Sequence, residues 1–315
     1  MKLQELVQSL DLGEVVLFQN LAWMPLFGED KVKEDLLTLD EAFEMDKGSS
    51  QARLLVTESD IVQHLLVENR FDRKLFVPCG MIFEGESQNR ASQYPTIIPA
   101  HSKTIKYPVH CAEQGQPLLH GTTYHSSSTI IQASARSGGV DQGRTWSSIA
   151  SSQTSYRTQS RTHSYVDVVK GVDLSDYITA MGDSKPGQQG YIAAVRSNGD
   201  IYFYADVLGS NALLGKLYHK LCQSIAAVAK QLHTSDLKIR KDSFATFLSE
   251  AGSVDMVEAD MEGQELGTIL VANTPVVEGS ALLDQQRLIQ LAMRRDVYSH
   301  QVDRSSTETI YLRPS

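Results

Sequence analysis

The stretch GYIAAVRSNGDIYFYADVLGS, residues 190–210, limits what this chain can fold into more than any other. Two largely apolar runs meet at Ser197-Asn198-Gly199-Asp200, and Asn-Gly accepts the positive φ values that a tight hairpin turn demands. The runs therefore pair antiparallel. Ser210 follows as a helix N-cap, and Leu214, Leu217, Tyr218, Leu221, Ile225, Val228 and Leu232 recur at helical spacing, which predicts a long helix with one apolar face. Regular βαβ alternation is lacking, as is a glycine-rich phosphate turn after a strand. An α+β fold with segregated strands and helices fits better than a doubly wound sheet.

Upstream, LQELVQSLDLG (Leu3 to Gly13) has apolar residues three and four apart and reads as a short helix. Glu14 to Gly28 is rich in β-branched and aromatic residues and reads as one strand. Thr38 with Glu41 three residues later forms a capping box, and Gly48 stops that helix. From Arg53 to His110, short strands alternate with turns at Glu58 to Asp60, Asn69 to Arg73, Pro78 to Gly80 and Ala100 to Lys103, which predicts a sandwich or barrel-like sheet.

Composition shifts at Gly121. Through Tyr165 the chain is dominated by Ser, Thr, Gln and Gly, with Arg136, Arg144, Arg157 and Arg161 against the acid Asp141. This reads as a long exposed loop, with Gly121 to Arg144 expected to be cleaved first, in which SARSGGVDQGR adds nothing to a core, followed by a helix starting near Gln142 and anchored by Trp146, Ile149 and Tyr156. Asp173 to Gly182 reads as a short helix, KPGQQG as a turn or linker, and Asp242 to Ala251 as a helix preceding strands near Ser253 to Glu258 and Gly267 to Pro275. The organisation expected is a β-rich half over residues 1–120, a Ser/Thr/Arg-rich stretch of loop and short helices over 121–185, and an α+β region of hairpin and long helix over 186–315. The last can pack as one domain with the first.

The 315 residues are 41% hydrophobic and 21% charged, ordinary for a soluble globular protein. No apolar run approaches the ~20 residues that span a bilayer, and MKLQELVQSLDLGE lacks the apolar block of a signal peptide, so a cytoplasmic protein without a membrane partner is expected. Cys79, Cys111 and Cys222 form no CxxC spacing and are odd in number, which predicts reduced thiols. A net charge of −9 argues against coating nucleic acid but leaves room for one local basic pocket.

Two polar clusters carry whatever chemistry is legible. In GMIFEGESQNR, strand periodicity would put Glu84, Glu86, Gln88 and Arg90 on one face, with the guanidinium fork of Arg90 able to hold a carboxylate or phosphate. The plain alternative is a solvated turn with Arg90 paired to one glutamate. In PVHCAEQG, Cys111 and Glu113 share a face and would suit a nucleophile with an acid/base, or metal ligation with His110; the alternative is a buried free cysteine at a strand end. His120 and His125 lie near in sequence, yet no HxH, HExxH or CxxC pattern supports a zinc or iron site. A hairpin of Ser92 to Pro99 with Thr104 to His110 would return the second cluster to the first. Glu84, Gln88, Arg90, Cys111 and Glu113 would then face one pocket.

EGESQNR (Glu84 to Arg90) and PVHCAEQG (Pro108 to Gly115) resemble the motifs of a family of bacterial and phage domains associated with ADP-ribosylglycohydrolases and rhodanese-phosphatases. The helix of GRTWSSIA and the hairpin with its long helix extend the resemblance over roughly Gly13 to Leu248. Gln116-Pro117 stands where the family often carries an aromatic, and the stretch Gly121 to Gly143 is long. The resemblance implies an NAD-derived or ADP-ribose-like ligand. The expectation is a protein that binds, and where there is chemistry processes, a phosphorylated or nucleotide-like small ligand without a cofactor of its own. Arg90 would hold the anion, Gln88, Asn89 and Gln114 would orient polar groups, Glu84 or Glu113 would move protons, and Cys111 would serve as a nucleophile. The alternative is a non-catalytic module whose Ser/Thr/Arg-rich loop meets a protein partner.

The histidine and cysteine spacing predicts no metal site. Elemental analysis of protein purified without chelator is expected to show zinc and iron far below one per chain, and near-stoichiometric metal would overturn this.

Overall fold

A computed structural model of the chain describes residues 9–136, 141–233, 235–274 and 277–298, together with Gln4, Val7 and Gly139. The chain begins with β1 (Asp11–Leu12), β2 (Val16–Phe18), β3 (Leu21–Phe27), β4 (Leu37–Thr38) and α1 (Leu39–Asp46). A run of strands follows: β5 (Leu54–Glu58), β6 (His64–Asn69), β7 (Leu75–Val77), β8 (Met81–Gly85), β9 (Arg90–Ser92), β10 (Thr96–Ile98), β11 (Ile105–Cys111) and β12 (Tyr124–Ile130). Next come α2 (Ala133–Arg136), α3 (Gln142–Tyr156), α4 (Tyr165–Lys170) and α5 (Ser175–Met181), then β13 (Gln188–Ser197) and β14 (Asp200–Leu208). The remainder is α6 (Asn211–Leu232), α7 (Asp242–Ser253), β15 (Val257–Glu258), β16 (Thr268–Asn273), β17 (Glu278–Asp284) and β18 (Arg287–Tyr298). The fold is α+β and rich in strand.

β13 and β14 form the expected hairpin, with Asn198 at φ 50° and Gly199 at φ 95°. They lie at the centre of a nine-stranded sheet ordered β1-β3-β13-β14-β18-β17-β16-β15, with β2 paired to β3, so strands from both ends of the chain share it. Both faces of this sheet are covered, which is why its central strands read as almost unbroken apolar runs. On one face Trp23 stacks on Tyr191, and Ala193 and Val195 join the core that includes α6. On the other, Met24, Ile192 and Ala194 pack with Phe203, which stacks on Phe247 of α7. Ser210 caps α6 by accepting the Leu213 N–H, and Leu214, Leu217, Tyr218, Leu221, Ile225 and Val228 are all buried.

The second sheet positions the clusters. Its six strands run β12-β8-β9-β11-β6-β5, and it curls until its two edges touch at the bridge between Thr57 and Thr123. A third, three-stranded sheet, β10-β7-β4, lies beside it. α1 has the expected capping box, with Thr38 accepting from Glu41 N and Glu41 accepting from Thr38 N. Among the described residues no helix is long and apolar enough to cross a membrane.

Several expectations change. The stretch Glu14 to Gly28 is two strands, because Gln19 turns at φ 50° and buried Asn20 donates to Arg196 O and Ala229 O. Of the helix expected from Leu3 to Gly13, Gln4 and Val7 are helical, Leu3, Glu5, Leu6 and Gln8 lie outside the described residues, and its end is strand β1. β10 does not pair with β11; bracketed by Pro95 and Pro99, which lack N–H donors, it leaves to pair with β7. Residues 121–165 are not a loop throughout. YHSSSTI forms β12, pairing with β8, and Ser127, Thr129 and Ile130 are buried. Within SARSGGVDQGR, Ala135 and Arg136 lie in the core. Ile149 is buried as an anchor of α3, whereas Trp146 is 36% exposed.

Arg136 is fully enclosed because Asp206 of β14 meets it with both oxygens, one at 2.6 Å, while Tyr191 donates to the same carboxylate. Burial works against the guanidinium charge, and Asp206 more than offsets this, so the group is held above its ordinary pKa. Gly80 belongs to this arrangement, since its φ of +77° suits glycine and a Cβ there would stand 3.0 Å from Arg136 Cδ. Asp206→Asn keeps the shape and strands the charge. It is expected to cost roughly 3–5 kcal/mol in denaturant unfolding, and a loss below about 1 kcal/mol would show that the pair is not structural.

Candidate functional site

The pairing of β9 with β11 sets Arg90 opposite Cys111, so the two polar clusters meet as expected, although by a different strand path. Strand alternation does not run through GESQNR, because β8 ends at Gly85 and β9 begins only at Arg90. The residues between form a connection that sorts its side chains into a buried layer and a cleft.

The buried layer is organised by Glu58, at the end of β5. Arg90 is 0% exposed and places Nη2 3.3 Å from each Glu58 carboxylate oxygen, while its Nη1 donates to Gln88 O at 2.8 Å and Gln88 Oε1 at 2.9 Å. Glu58 also accepts from Ser87 Oγ at 2.9 Å and from the Tyr124 hydroxyl. Cys111 Sγ donates to Gln88 Oε1 at 3.0 Å. The expectation that Arg90 holds a ligand anion is therefore corrected: in this arrangement its fork is already engaged beneath the surface. Burial pushes the Cys111 thiol up, with Arg90 opposing, which disfavours the thiolate a nucleophile needs. Burial also raises the Tyr124 phenol, and its hydrogen bond to Glu58 adds to the effect.

Above this layer lies a cleft of about 310 Å³ whose walls include Glu84, Asn89, Glu113, Arg161, Ser164 and Asp167. Glu113 is 6% exposed. Its Oε2 accepts the Asn89 N–H at 3.1 Å, and Asn89 Nδ2 donates to Ser164 Oγ at 3.2 Å. Ser160 Oγ accepts from Ser164 N and donates to Asp167, both at 2.9 Å, which fixes the opposite wall. That wall is joined to the HCAEQG turn by backbone bonds: Gln114 N and Gly115 N donate to Thr162 O, and Tyr165 N donates to Ala112 O. Gly115 lets the two segments approach closely, since a Cβ there would stand 3.0 Å from Thr162 Cα. Lys170 Nζ reaches Glu84 at 3.3 Å across the rim.

Among the predicted site residues, then, Glu84, Asn89 and Glu113 line the cleft, and Gln88, Arg90 and Cys111 lie in the layer below. Gln114 is exposed and touches the site through its backbone alone among the described contacts. Sequence reasoning missed Glu58, Ser87 and Tyr124 in the buried layer, and Ser164 and Asp167 at the cleft; His125, weighed there only as a metal ligand, lines the cleft as well. It also missed Gln142, whose side-chain amide receives Cys111 N at 2.8 Å and donates to Cys111 O at 2.9 Å, in place of a neighbouring strand. Of the four arginines in the polar stretch, Arg136 is buried, Arg144 pairs with Glu278, Arg157 ends α3 in a left-handed conformation, and Arg161 lines the cleft. Among the described residues no three of His, Cys, Asp and Glu are grouped to hold a metal ion. His120 sits on the surface 3.8 Å from Asp60, and burial lowers the pKa of His110, with Asp141 opposing.

Residues 9–293 match the family described as the ARG and Rhodanese-Phosphatase-superfamily-associated Protein domain. The chain belongs to this family. The match spans both polar clusters, both large sheets and α6, so the resemblance carried by EGESQNR and PVHCAEQG extends to nearly the whole chain. Comparison with curated proteins and with solved structures found no match.

Because Glu58 and Arg90 are enclosed together, removing either partner leaves the other uncompensated. Glu58→Gln and Arg90→Met are each expected to lose roughly 3–5 kcal/mol of stability, and the double variant is expected to lose clearly less than the sum. Denaturant unfolding checks this. Additive losses, or a fully stable Arg90→Met protein, would contradict the coupling.

Proposed function

We propose that the cleft beside Asn89 and Glu113 binds a small, hydroxyl-rich phosphorylated ligand of the ADP-ribose or NAD-derived kind. The reading rests on Glu113. The residue is 6% exposed, with one carboxylate oxygen on Asn89 N–H and no hydrogen bond described for the other, which is not among the fully buried unpaired atoms and so stays open to the cleft. A carboxylate so placed favours a further donor, and a ribose diol supplies two, as acidic residues do for ribose in dinucleotide sites. Glu84 and Asp167 offer further acceptors, and Arg161 at the wall offers a fork for phosphate. The family's association with ADP-ribosylglycohydrolases and rhodanese-phosphatases agrees with such a ligand.

If the ligand is processed, Glu113 is the group placed to take or return a proton, with Glu84 second. Cys111, with its raised pKa one layer below, is the weaker choice for nucleophile. We place the protein in a bacterial cytoplasm, without nucleic acid or membrane as partner. A second reading, a non-catalytic interaction module, draws on Leu118 and Leu119, which are 41% and 42% exposed just beyond HCAEQG.

A thermal-shift series with ADP-ribose, NAD and ribose 5-phosphate separates the two. Ligand at a hundred times its Kd adds about 2.7 kcal/mol, so ADP-ribose or NAD is expected to raise Tm by several degrees, and Glu113→Ala is expected to abolish the rise. A flat response to every probe would favour the interaction module.

A further inference from the structure

We infer that the ligand occupies a trough longer than the Glu113 cleft, with its anionic group at Arg161 and a second polar ring beyond it. This deepens the reading just given and rests on it. A cavity of about 310 Å³ is at the small end of the ~300–1,000 Å³ usual for ligand sites. It does not stand alone. A second hollow, of about 720 Å³, meets the cleft at Arg161, which lines both, and continues along Thr158, Gln159 and His163. On the opposite side a hollow of about 520 Å³ shares Gly85 and His125 with it.

Charge is distributed unevenly along this trough. The centre carries the carboxylates of Glu84, Glu113 and Asp167. The hollow beyond Arg161 has no carboxylate among its lining residues, whereas the one beyond His125 carries Glu86. An anionic group is therefore best accommodated toward Arg161, where the guanidinium stands between the acidic centre and a neutral surface of amides and hydroxyls. The centre is a built site, because Asn89, Glu113, Thr162 and Ser164 are each at least nine-tenths buried. Hydroxyls at the centre, phosphate at Arg161 and a ring reaching Gln159 describe one chemical class: two ring-bearing parts joined through a pyrophosphate. A sugar phosphate alone would fill the centre and leave the hollow beyond Arg161 empty.

Calorimetric titration of the full chain with ADP-ribose and with ribose 5-phosphate tests this. ADP-ribose is expected to bind at least tenfold more tightly. Arg161→Ala is expected to weaken both probes roughly tenfold. Gln159→Trp, which narrows the hollow beyond the arginine from an exposed position, is expected to weaken ADP-ribose and spare ribose 5-phosphate. Equal affinities for the two probes, an Arg161→Ala protein that binds both normally, or a Gln159→Trp protein that loses both equally would each overturn the extended trough. If Glu113→Gln still weakens binding in those cases, the cleft reading survives and the extension alone falls. If the unaltered chain binds neither probe, both fall.

Discussion

The pair of Glu58 and Arg90 stands where the six-stranded sheet closes. In hydrogen-bond order β5 and β12 are its two edges, yet Glu58 on β5 accepts from the hydroxyl of Tyr124 on β12, and Glu58 N donates to Thr122 O at 2.9 Å. Arg90, from a strand in the middle of the sheet, reaches the same carboxylate from inside. Three strands are thus tied at one buried point, and edges that would otherwise present unpaired N–H and C=O groups are brought together. The cleft depends on this closure, because Ser87 and Gln88, which bond to Glu58 and Arg90, belong to the connection that also carries Asn89.

A second buried pair acts in the same way between layers. Arg136 on α2 meets Asp206 on β14, and Arg136 Nε is 3.4 Å from Ser224 Oγ on α6. Buried ion pairs add little net stability once desolvation is counted, but breaking one is costly, so their effect is to penalise arrangements in which the partners fail to meet. Each pair here joins parts of the chain that local patterning leaves independent: one sheet edge to the other, and the polar stretch after β12 to the central hairpin. Lys220 on α6 makes a related contact at the half-exposed Asp40 of α1, at 2.7 Å, and also donates to Ser127 O on β12.

Local signals were legible and long-range ones were not. Asn198-Gly199, the Thr38 and Glu41 box, Ser210 and the stripe along α6 each report a constraint that acts within a few residues, and each is present in the structure. The hairpin of β17 and β18 was invisible because its turn places Gln285 and Gln286 at φ 49° and 64°, where glycine or asparagine is the usual sign. β12 was hidden by composition, since serine and threonine in YHSSSTI look like loop until Ser127 and Thr129 are found buried. The site was half legible for a related reason. Period-two reasoning grouped Glu84, Gln88 and Arg90, but the break in strand between Gly85 and Arg90 keeps Glu84 at the cleft and sends the other two inward. Glu58, their partner, lies 32 residues from Arg90 in a segment that reads as an ordinary turn.

The arginine that looked like a ligand anchor is instead part of the foundation, and this changes how the site is expected to discriminate. With Arg90 neutralised by Glu58, the floor of the cleft presents amide, hydroxyl and carboxylate groups without a free cation. On that reading, a simple inorganic anion would meet the carboxylates of Glu84, Glu113 and Asp167 at the centre. Under the proposed reading, a ligand would gain there by donating hydrogen bonds to Glu113, and any phosphate it carries would reach outward to Arg161. Because Asn89, Ser164 and Ser160 already hold one another through hydrogen bonds, these groups need not be ordered when the ligand arrives. Selectivity in such a site comes from the separation between the donor-seeking centre and the cationic wall. Under the proposed binding mode, a molecule with hydroxyls and phosphate at matching separation would satisfy both, whereas one with hydroxyls alone would leave the exposed Arg161 to water and gain from the centre only.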